Sequence, residues 1–336
     1  MQDRQSKNLR TLDLFVRFLH GRTVRKSEEA ERFQVDQRTI QRDIDDIRAF
    51  LDECSVKNAA DSRNIVYDRS RRGFVLTGSD SSMMTNTEIF AVSKILLESR
   101  AFTKKEMDSI LRKLIDSCVP QENIALVRDL IANEQYHYIE LNHKSRIQNK
   151  LWELGADSRK GRVLKIKYQK QDNKSTGSRL IVPVGIMFSE YYFYLNAYIV
   201  KETSGGSFVR EYEYPAIFRV DRIKDYRDTG KTMKIEYSDR FEEGEFRKRI
   251  QFMYAGKLLK IRFKFTGPSI EAVLDRLPTA RITGEIKNGY MVEAEVYGKG
   301  IIMWLLSQGS HLEVVKPSGL RSAMKEIIAD MMARYK

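Results

Sequence analysis

Apolar residues recur at helical spacing between Ser6 and His20, at Leu9, Leu12, Phe15, Val16 and Leu19, and predict a first helix with one buried stripe. After Gly21 a short second helix is predicted at Lys26–Phe33, with Ala30 and Phe33 facing inwards, and Val35 and Asp36 break it. Asp36 is a good N-cap residue, and behind it Ile40, Ile44, Ile47 and Leu51 fall at i, i+4, i+7 and i+11 of a third helix. NIVYDR and GFVLT flank the turn Ser70-Arg71-Arg72-Gly73 and predict a β-hairpin ending near Gly78. Residues 78–87, GSDSSMMTNT, predict a linker. Helical periodicity returns over residues 88–134, punctuated by Pro120, and predicts a helical connector.

From Arg162 the period changes to two. Leu164, Ile166 and Tyr168 alternate with Lys165 and Lys167; Phe193, Leu195, Ala197 and Ile199 alternate with Tyr192, Tyr194, Asn196 and Tyr198. Short strands joined by turns predict a small barrel or curled sheet. The last part predicts a strand (Leu258–Thr266), a helix (Pro268–Leu277), a hairpin turning at Asn288-Gly289, a helix (Gly300–Gln308), a strand (His311–Val315) and a terminal helix (Leu320–Tyr335). That order is similar to a split βαβ, ferredoxin-like domain. Trp304 is expected in the core of its helix, while Ile327, Ile328, Met331 and Met332 form a stripe open to two readings, interface or core. The expected class is multidomain α+β, with domains at 1–78, 79–143, 144–235 and 236–336.

Composition narrows the partners. The 336 residues, 42% hydrophobic and 31% charged, suffice for about two or three folded domains. No run reaches the ~18 apolar residues of a membrane span, and MQDRQSKNLR is not followed by an apolar signal region, so a cytoplasmic, nucleoid-associated protein that avoids membranes is expected. Cys54 and Cys118 make neither a disulfide framework nor a zinc site by themselves, and no metal or other cofactor is expected. The net charge is +13, of which residues 144–235 supply +9 with 19 basic and 10 acidic residues. Such a balance points to a polyanionic partner.

The strongest chemical signal lies in residues 22–51. A helix, a short turn and a second helix whose amino end carries Gln, Arg and Thr is what major-groove reading requires. Arg38 and Arg42 suit guanine O6/N7 or phosphate, Gln37 and Gln41 suit adenine N6/N7, and Thr39 lies beside them. The hairpin turn gathers Arg69, Arg71 and Arg72 as a phosphate-touching wing would need. This stretch resembles the winged helix-turn-helix of DeoR-type bacterial transcription factors, whose recognition helix opens with a Thr-Ile-x-Arg-Asp run. Thr39-Ile40-Gln41-Arg42-Asp43 reproduces that run.

A second resemblance covers residues 162–230, where SRLIVPVGIMFSEYYFYLNAY and AIFRVDRIKDY look like a WYL domain, a small Sm-like or SH3-like β-barrel. Phe193-Tyr194-Leu195 stands where that family has Trp-Tyr-Leu, so the Trp is replaced; Phe218-Arg219-Val220-Asp221-Arg222-Ile223 matches the family's Phe-Arg-Leu-Asp-Arg-Ile strand. Arg179, Arg219 and Arg222 with the phenols of Tyr168 and Tyr194 have the chemistry to grip phosphates and stack a base. The competing reading makes Tyr168 barrel core and Arg219 and Asp221 a solvated pair. The resemblance implies sensing of a nucleotide or nucleic-acid ligand, and the remaining third is similar to the extension that commonly follows WYL domains, with a role in dimerisation or gating.

Catalytic signals are thin. His137, Glu140 and His143 give His-x-x-Glu-x-x-His, which misses the zinc-enzyme spacings, and the chain has no phosphate-binding glycine loop or Gly-x-Ser-x-Gly elbow. An enzyme is not expected. The reading is a homodimeric transcription regulator, by preference a repressor, that binds an inverted-repeat double-stranded operator and answers to a nucleotide or single-stranded effector. Regulators of anti-phage defence operons are one setting that the resemblance implies. The alternatives are a metabolite-responsive DeoR-type repressor and an RNA- or single-strand-binding protein that uses its Sm-like barrel.

Overall fold

The computed structural model describes residues 2–57, 63–78, 84–117, 123–170, 175–233 and 242–335. Half of the expected linker (79–83), Cys118, Pro120 and the expected boundary at 235/236 lie outside the described residues. The chain divides into two compact units, 1–144 and 145–336.

The first unit opens with three helices, α1 (Gln2–Leu19), α2 (Lys26–Phe33) and α3 (Gln37–Lys57), and a hairpin of β1 (Asn64–Asp68) and β2 (Gly73–Thr77). Their shared core holds Leu14, Phe18, Val24, Ile40, Ile44, Ile47, Leu51, Ile65 and Phe74. The stripe expected on α1 is corrected. Leu14 and Phe18 are buried together with Arg10, whereas Leu9, Leu12 and Val16 are exposed, Leu9 to 68%. The cause is an ion pair: Arg10 Nε and Nη2 donate to the Asp43 carboxylate at 2.5 and 3.2 Å, and both residues are buried, at 5% and 1% exposure. Pairing of two charges at the α1–α3 contact turns the helix away from the face that its leucines alone would choose.

The α2–α3 break occurs where the sequence places it. Gln34 takes the left-handed conformation that ends α2 (φ 55°), and Asp36 Oδ1 accepts the Thr39 N–H at 2.7 Å to cap α3. A feature the periodicity did not show is a third strand-like contact in the hairpin sheet, in which Val24 and Phe74 exchange two backbone hydrogen bonds of 2.8 Å. Gly73 permits it, because a Cβ there would lie 2.5 Å from Thr23 Cγ2 and 2.9 Å from Val24 O. The connector is α4 (Asn86–Ser99), α5 (Lys104–Asp116) and α6 (Ile124–Tyr136), and it has its own core around Ile89, Met107, Leu111 and Ile131. Thr85 with Glu88 and Thr103 with Glu106 form capping boxes that start α4 and α5.

The second unit begins with a helix absent from the sequence reading, α7 (Gln148–Lys160), which packs against β4. The strands are β3 (Arg162–Gln169), β4 (Thr176–Ser189), β5 (Tyr192–Glu202), β6 (Phe208–Arg210), β7 (Ala216–Arg219) and β8 (Ile223–Thr232). The hydrogen-bonded order is β6-β5-β4-β3-β8, with β7 on β5. Among the described residues the hydrogen-bonded order does not close into the expected Sm/SH3-like barrel. The 3-10 turn Val220–Arg222 carries the chain from β7 to β8.

After α8 (Glu243–Arg249) come β9 (Leu258–Phe265), α9 (Ile270–Arg276), β10 (Arg281–Ile286), β11 (Gly289–Tyr297), α10 (Ile301–Ser307), β12 (Leu312–Lys316) and α11 (Ser318–Ala333). These elements follow the predicted order, in a sheet ordered β10-β11-β9-β12. Trp304 is buried edge-on against Phe263. The β10–β11 turn sits one residue earlier than read, on Lys287 and Asn288, because Gly289 already pairs with Ile286 and a Cβ on it would run into Phe265 O. Of the α11 stripe, Ile327 packs on the core while Ile328, Met331 and Met332 are exposed.

Candidate nucleic-acid interface and ligand site

The cap on Asp36 sets where α3 begins and therefore which side chains stand at its amino end. Gln37, Arg38 and Arg42 are exposed there, Thr39 is half-buried, and Gln37, Arg38, Gln41 and Arg42 line one open depression of about 570 Å³ together with Lys26 at the start of α2. Lys26 was not among the DNA-binding residues read from the sequence. Its Nζ donates to Gln41 Oε1 at 3.1 Å, while Gln41 Nε2 donates to Asp45 Oδ1 at 3.0 Å, so the Gln41 amide is held in one orientation. Only proximity in the fold could reveal this, since Lys26 and Gln41 lie on different helices. The Thr39 N–H holds the Asp36 carboxyl below its ordinary range and so keeps a negative charge at the helix start.

Asp43, in the same Thr-Ile-x-Arg-Asp run, plays a different part. It faces inwards to Arg10, and Thr11 Oγ1 also lies 3.4 Å from its Oδ1, so within the run Arg42 reaches solvent and Asp43 builds the module.

The hairpin turn is shaped by Asp68, whose Oδ1 accepts the N–H groups of Ser70 at 2.7 Å and Arg71 at 3.1 Å. Arg72 completes it in the left-handed region with φ 50°. Arg69, Arg71 and Arg72 are all exposed. Arg25, at the start of α2, donates through Nε and Nη2 to Arg71 O, both at 3.3 Å, and Arg48 of α3 donates to Ile65 O at 2.8 Å. The two helices of the turn thus hold the arginine-bearing hairpin at both ends. The result is a cationic surface with amide and hydroxyl groups among the charges, suited to phosphates and base edges together.

In the second unit the structure brings together three of the five proposed ligand residues. Met187, Tyr194 and Arg219 are register partners across β4, β5 and β7, and the Tyr168 hydroxyl accepts the Arg219 N–H at 3.3 Å. Two neighbours that the sequence reading did not place in the ligand site complete the group. The Arg219 guanidinium lies 3.4 Å from the Tyr192 ring centroid and forms a two-pronged pair with Asp221 at 3.1 and 2.8 Å. Burial alone would lower the Arg219 pKa, but the Asp221 pair outweighs it and the net shift is upwards. Burial pushes the Tyr194 phenol up to about 12, so it remains a neutral donor. Tyr192 was detectable, since it alternates in phase with Tyr194 along β5.

Arg222 is half-exposed at the end of the 3-10 turn, outside these contacts. Arg179 is exposed on β4 and pairs in register with Ile166, two residues before Tyr168 on β3. Tyr168, Tyr192, Tyr194, Arg219 and Asp221 thus form a compact group, with Arg179 two pairs along the β3–β4 ladder from Tyr168 and Arg222 at the end of the turn that follows Arg219.

Among the described residues no group of His, Cys, Asp and Glu is arranged to hold a metal ion, and no helix is long and apolar enough to cross a membrane.

Residues 156–228 match the WYL domain and residues 257–332 match the WCX domain. Both matches lie in the second unit, the WYL match before the WCX match. Among solved structures the chain is similar to proteasome accessory factor B/C (PafBC) of Arthrobacter aurescens, with 15% identity and a TM-score of 0.31, over 98% of this chain and 48% of that one. It is also similar to a CRISPR Cas-related protein, with 14% identity and a TM-score of 0.36, over 76% of this chain and 75% of the other. The chain spans about half the length of the first of these. No curated protein matches it.

Proposed function

We propose that this chain is a sequence-specific DNA-binding transcriptional regulator whose operator binding answers to a ligand at the WYL domain. The observation that carries the reading is the shared depression of Lys26, Gln37, Arg38, Gln41 and Arg42 at the capped amino end of α3. Beside it stands an arginine hairpin tethered to the same helices by Arg25 and Arg48. The first 78 residues are then a winged helix-turn-helix of the DeoR type, with α3 as recognition helix. The WYL part is an Sm-like sheet, and the last part is a ferredoxin-like extension.

The protein acts by binding rather than catalysis. Two copies on an inverted repeat double the phosphate contacts that one module makes, and a homodimer is the form proposed. Repression is the default sign, because a module seated over a promoter blocks polymerase without further parts. The effector is a nucleotide or short single strand, for which Arg219 and the tyrosines around it supply charge and aromatic faces.

The test is fluorescence anisotropy of the full chain on duplexes tiled across its own upstream region, at fixed salt, with and without nucleotides and short single strands. Tight binding to one tile with an inverted repeat, altered by an added ligand, is expected. Equal weak binding to every tile with tight binding of single strands would overturn the reading in favour of a single-strand-binding protein.

A further inference from the structure

The face of β5 that carries Tyr194 also carries Asn196, two residues on. Gly185, Asn196 and Ile217 are register partners across β4, β5 and β7, one row from Met187, Tyr194 and Arg219. Asn196 is fully buried, and among the described residues neither its amide nitrogen nor its amide oxygen has a hydrogen-bond partner. A buried amide left wholly unpaired is costly, and a sheet interior offers many apolar residues that would avoid the cost. A primary amide presents a donor and an acceptor side by side, the pattern that pairs with a base edge.

What covers this row is α8. Phe246, the one buried residue of that helix, shares a buried cluster with Met187, Ile250 and Met253, against which Tyr194 and Ile217 pack, and stacks on Tyr297 of β11 at 5.2 Å. A Cβ at Gly185 would overlap the Glu243 carboxylate, so the glycine leaves room for that group beside Asn196. An aromatic ring and an anion of the chain itself thus occupy the space over the ligand face. Arg247 of this helix donates to Phe188 O, and Arg249 pairs with Glu295 at 3.3 Å. The segment behind it holds two consecutive non-glycine residues in the left-handed region, Phe252 at φ 49° and Met253 at φ 55°. Such strain persists only where packing enforces it and is released when the element moves.

We propose that Asn196 reads the base of the effector and that α8 is a built-in cover whose Phe246 and Glu243 the effector's base and phosphate displace. The inference rests on the ligand-site reading above and adds a specificity residue and a gate to it. Because β11 carries both Tyr297 and Glu295, release of α8 reaches the WCX sheet directly.

The experiment compares the full chain with its Asn196→Leu and Phe246→Ala variants. The probes are the four nucleoside monophosphates, homopolymer hexanucleotides, and two base-free controls, ribose 5-phosphate and an abasic hexamer. The wild type is expected to prefer at least one base over the base-free control. Asn196→Leu should lose that preference by roughly tenfold to a hundredfold, keep its affinity for the base-free probe, and melt no lower than wild type. Phe246→Ala should bind the preferred probe more tightly, and that probe should speed hydrogen exchange at Glu243–Arg249 in the wild type. Retention of the preference by Asn196→Leu, or equal loss for base-bearing and base-free probes, overturns the role of Asn196. Unchanged exchange in α8 overturns the cover. A wild type that binds base-bearing and base-free probes alike, with Arg219→Ala weakening both, overturns this inference and leaves the ligand site standing. A wild type that binds none of the probes overturns both.

Discussion

Adjacent residues of one motif do opposite work. Arg42 is exposed at the mouth of the α3 depression, while Asp43 is buried against Arg10. Arg42→Ala is expected to weaken operator binding by about 1–3 kcal/mol without changing the melting of the chain. Asp43→Ala strands a buried guanidinium and should cost about 3–5 kcal/mol of local stability, read as faster hydrogen exchange in α1 and α3. If Asp43→Ala lowered DNA affinity with no change in exchange, the structural role would be wrong. Asp36 adds a pH dependence. Its folded pKa is depressed by the Thr39 N–H, so the cap's contribution is complete above the ordinary carboxylate value of 3.8 and is lost as pH falls through the lower folded value. The titration midpoint followed at the Thr39 amide resonance should therefore lie below 3.8.

At the scale of elements, the hairpin matters through its attachment. Gly73 lets Val24 pair with Phe74, and Arg25 holds the turn by Arg71 O. Gly73→Ala is expected to detach the wing while α3 stays in place. The slope of log affinity against log salt should then shrink by roughly 0.9 for each wing arginine that leaves a phosphate, with the preferred operator base sequence unchanged. Altered base preference at constant slope would show that the wing reads sequence instead. Element-scale reasoning from the sequence was sound for α2, whose limits agree, and for the hairpin. It missed α7 because QNKLWELGADSRK leaves Trp152 exposed and buries Leu154, a weak pattern that becomes a helix by packing on β4. It missed α8 for the same reason, since Phe246 is its single buried residue.

For the whole molecule the proposal divides labour between units. Arg219→Ala should leave operator binding without ligand nearly intact and abolish the response to effector, because Arg219 lies in the second unit and the DNA-reading residues lie in the first. Equal loss of operator affinity in Arg219→Ala and Arg42→Ala, measured by anisotropy, would contradict that division. The same samples test the dimer. Sedimentation should give two copies per particle, and Ile328→Glu with Met332→Glu, on the exposed face of α11, should shift the particle towards one copy if that face joins the copies.

Local chemistry was enough for much of this. The hydrophobic spacing of α3, the cap at Asp36, the arginines of the turn and the period-two strands of the sheet are set by neighbours a few residues away, and such interactions are written in the order of residues. The α1 face, the Lys26–Gln41 contact, the Arg219–Tyr192 stack and the unpaired amide of Asn196 were decided only by the tertiary structure. Each depends on groups brought together from different elements. Burial makes their charges and hydrogen bonds strong enough to override periodicity, and burial is a property of the folded chain alone.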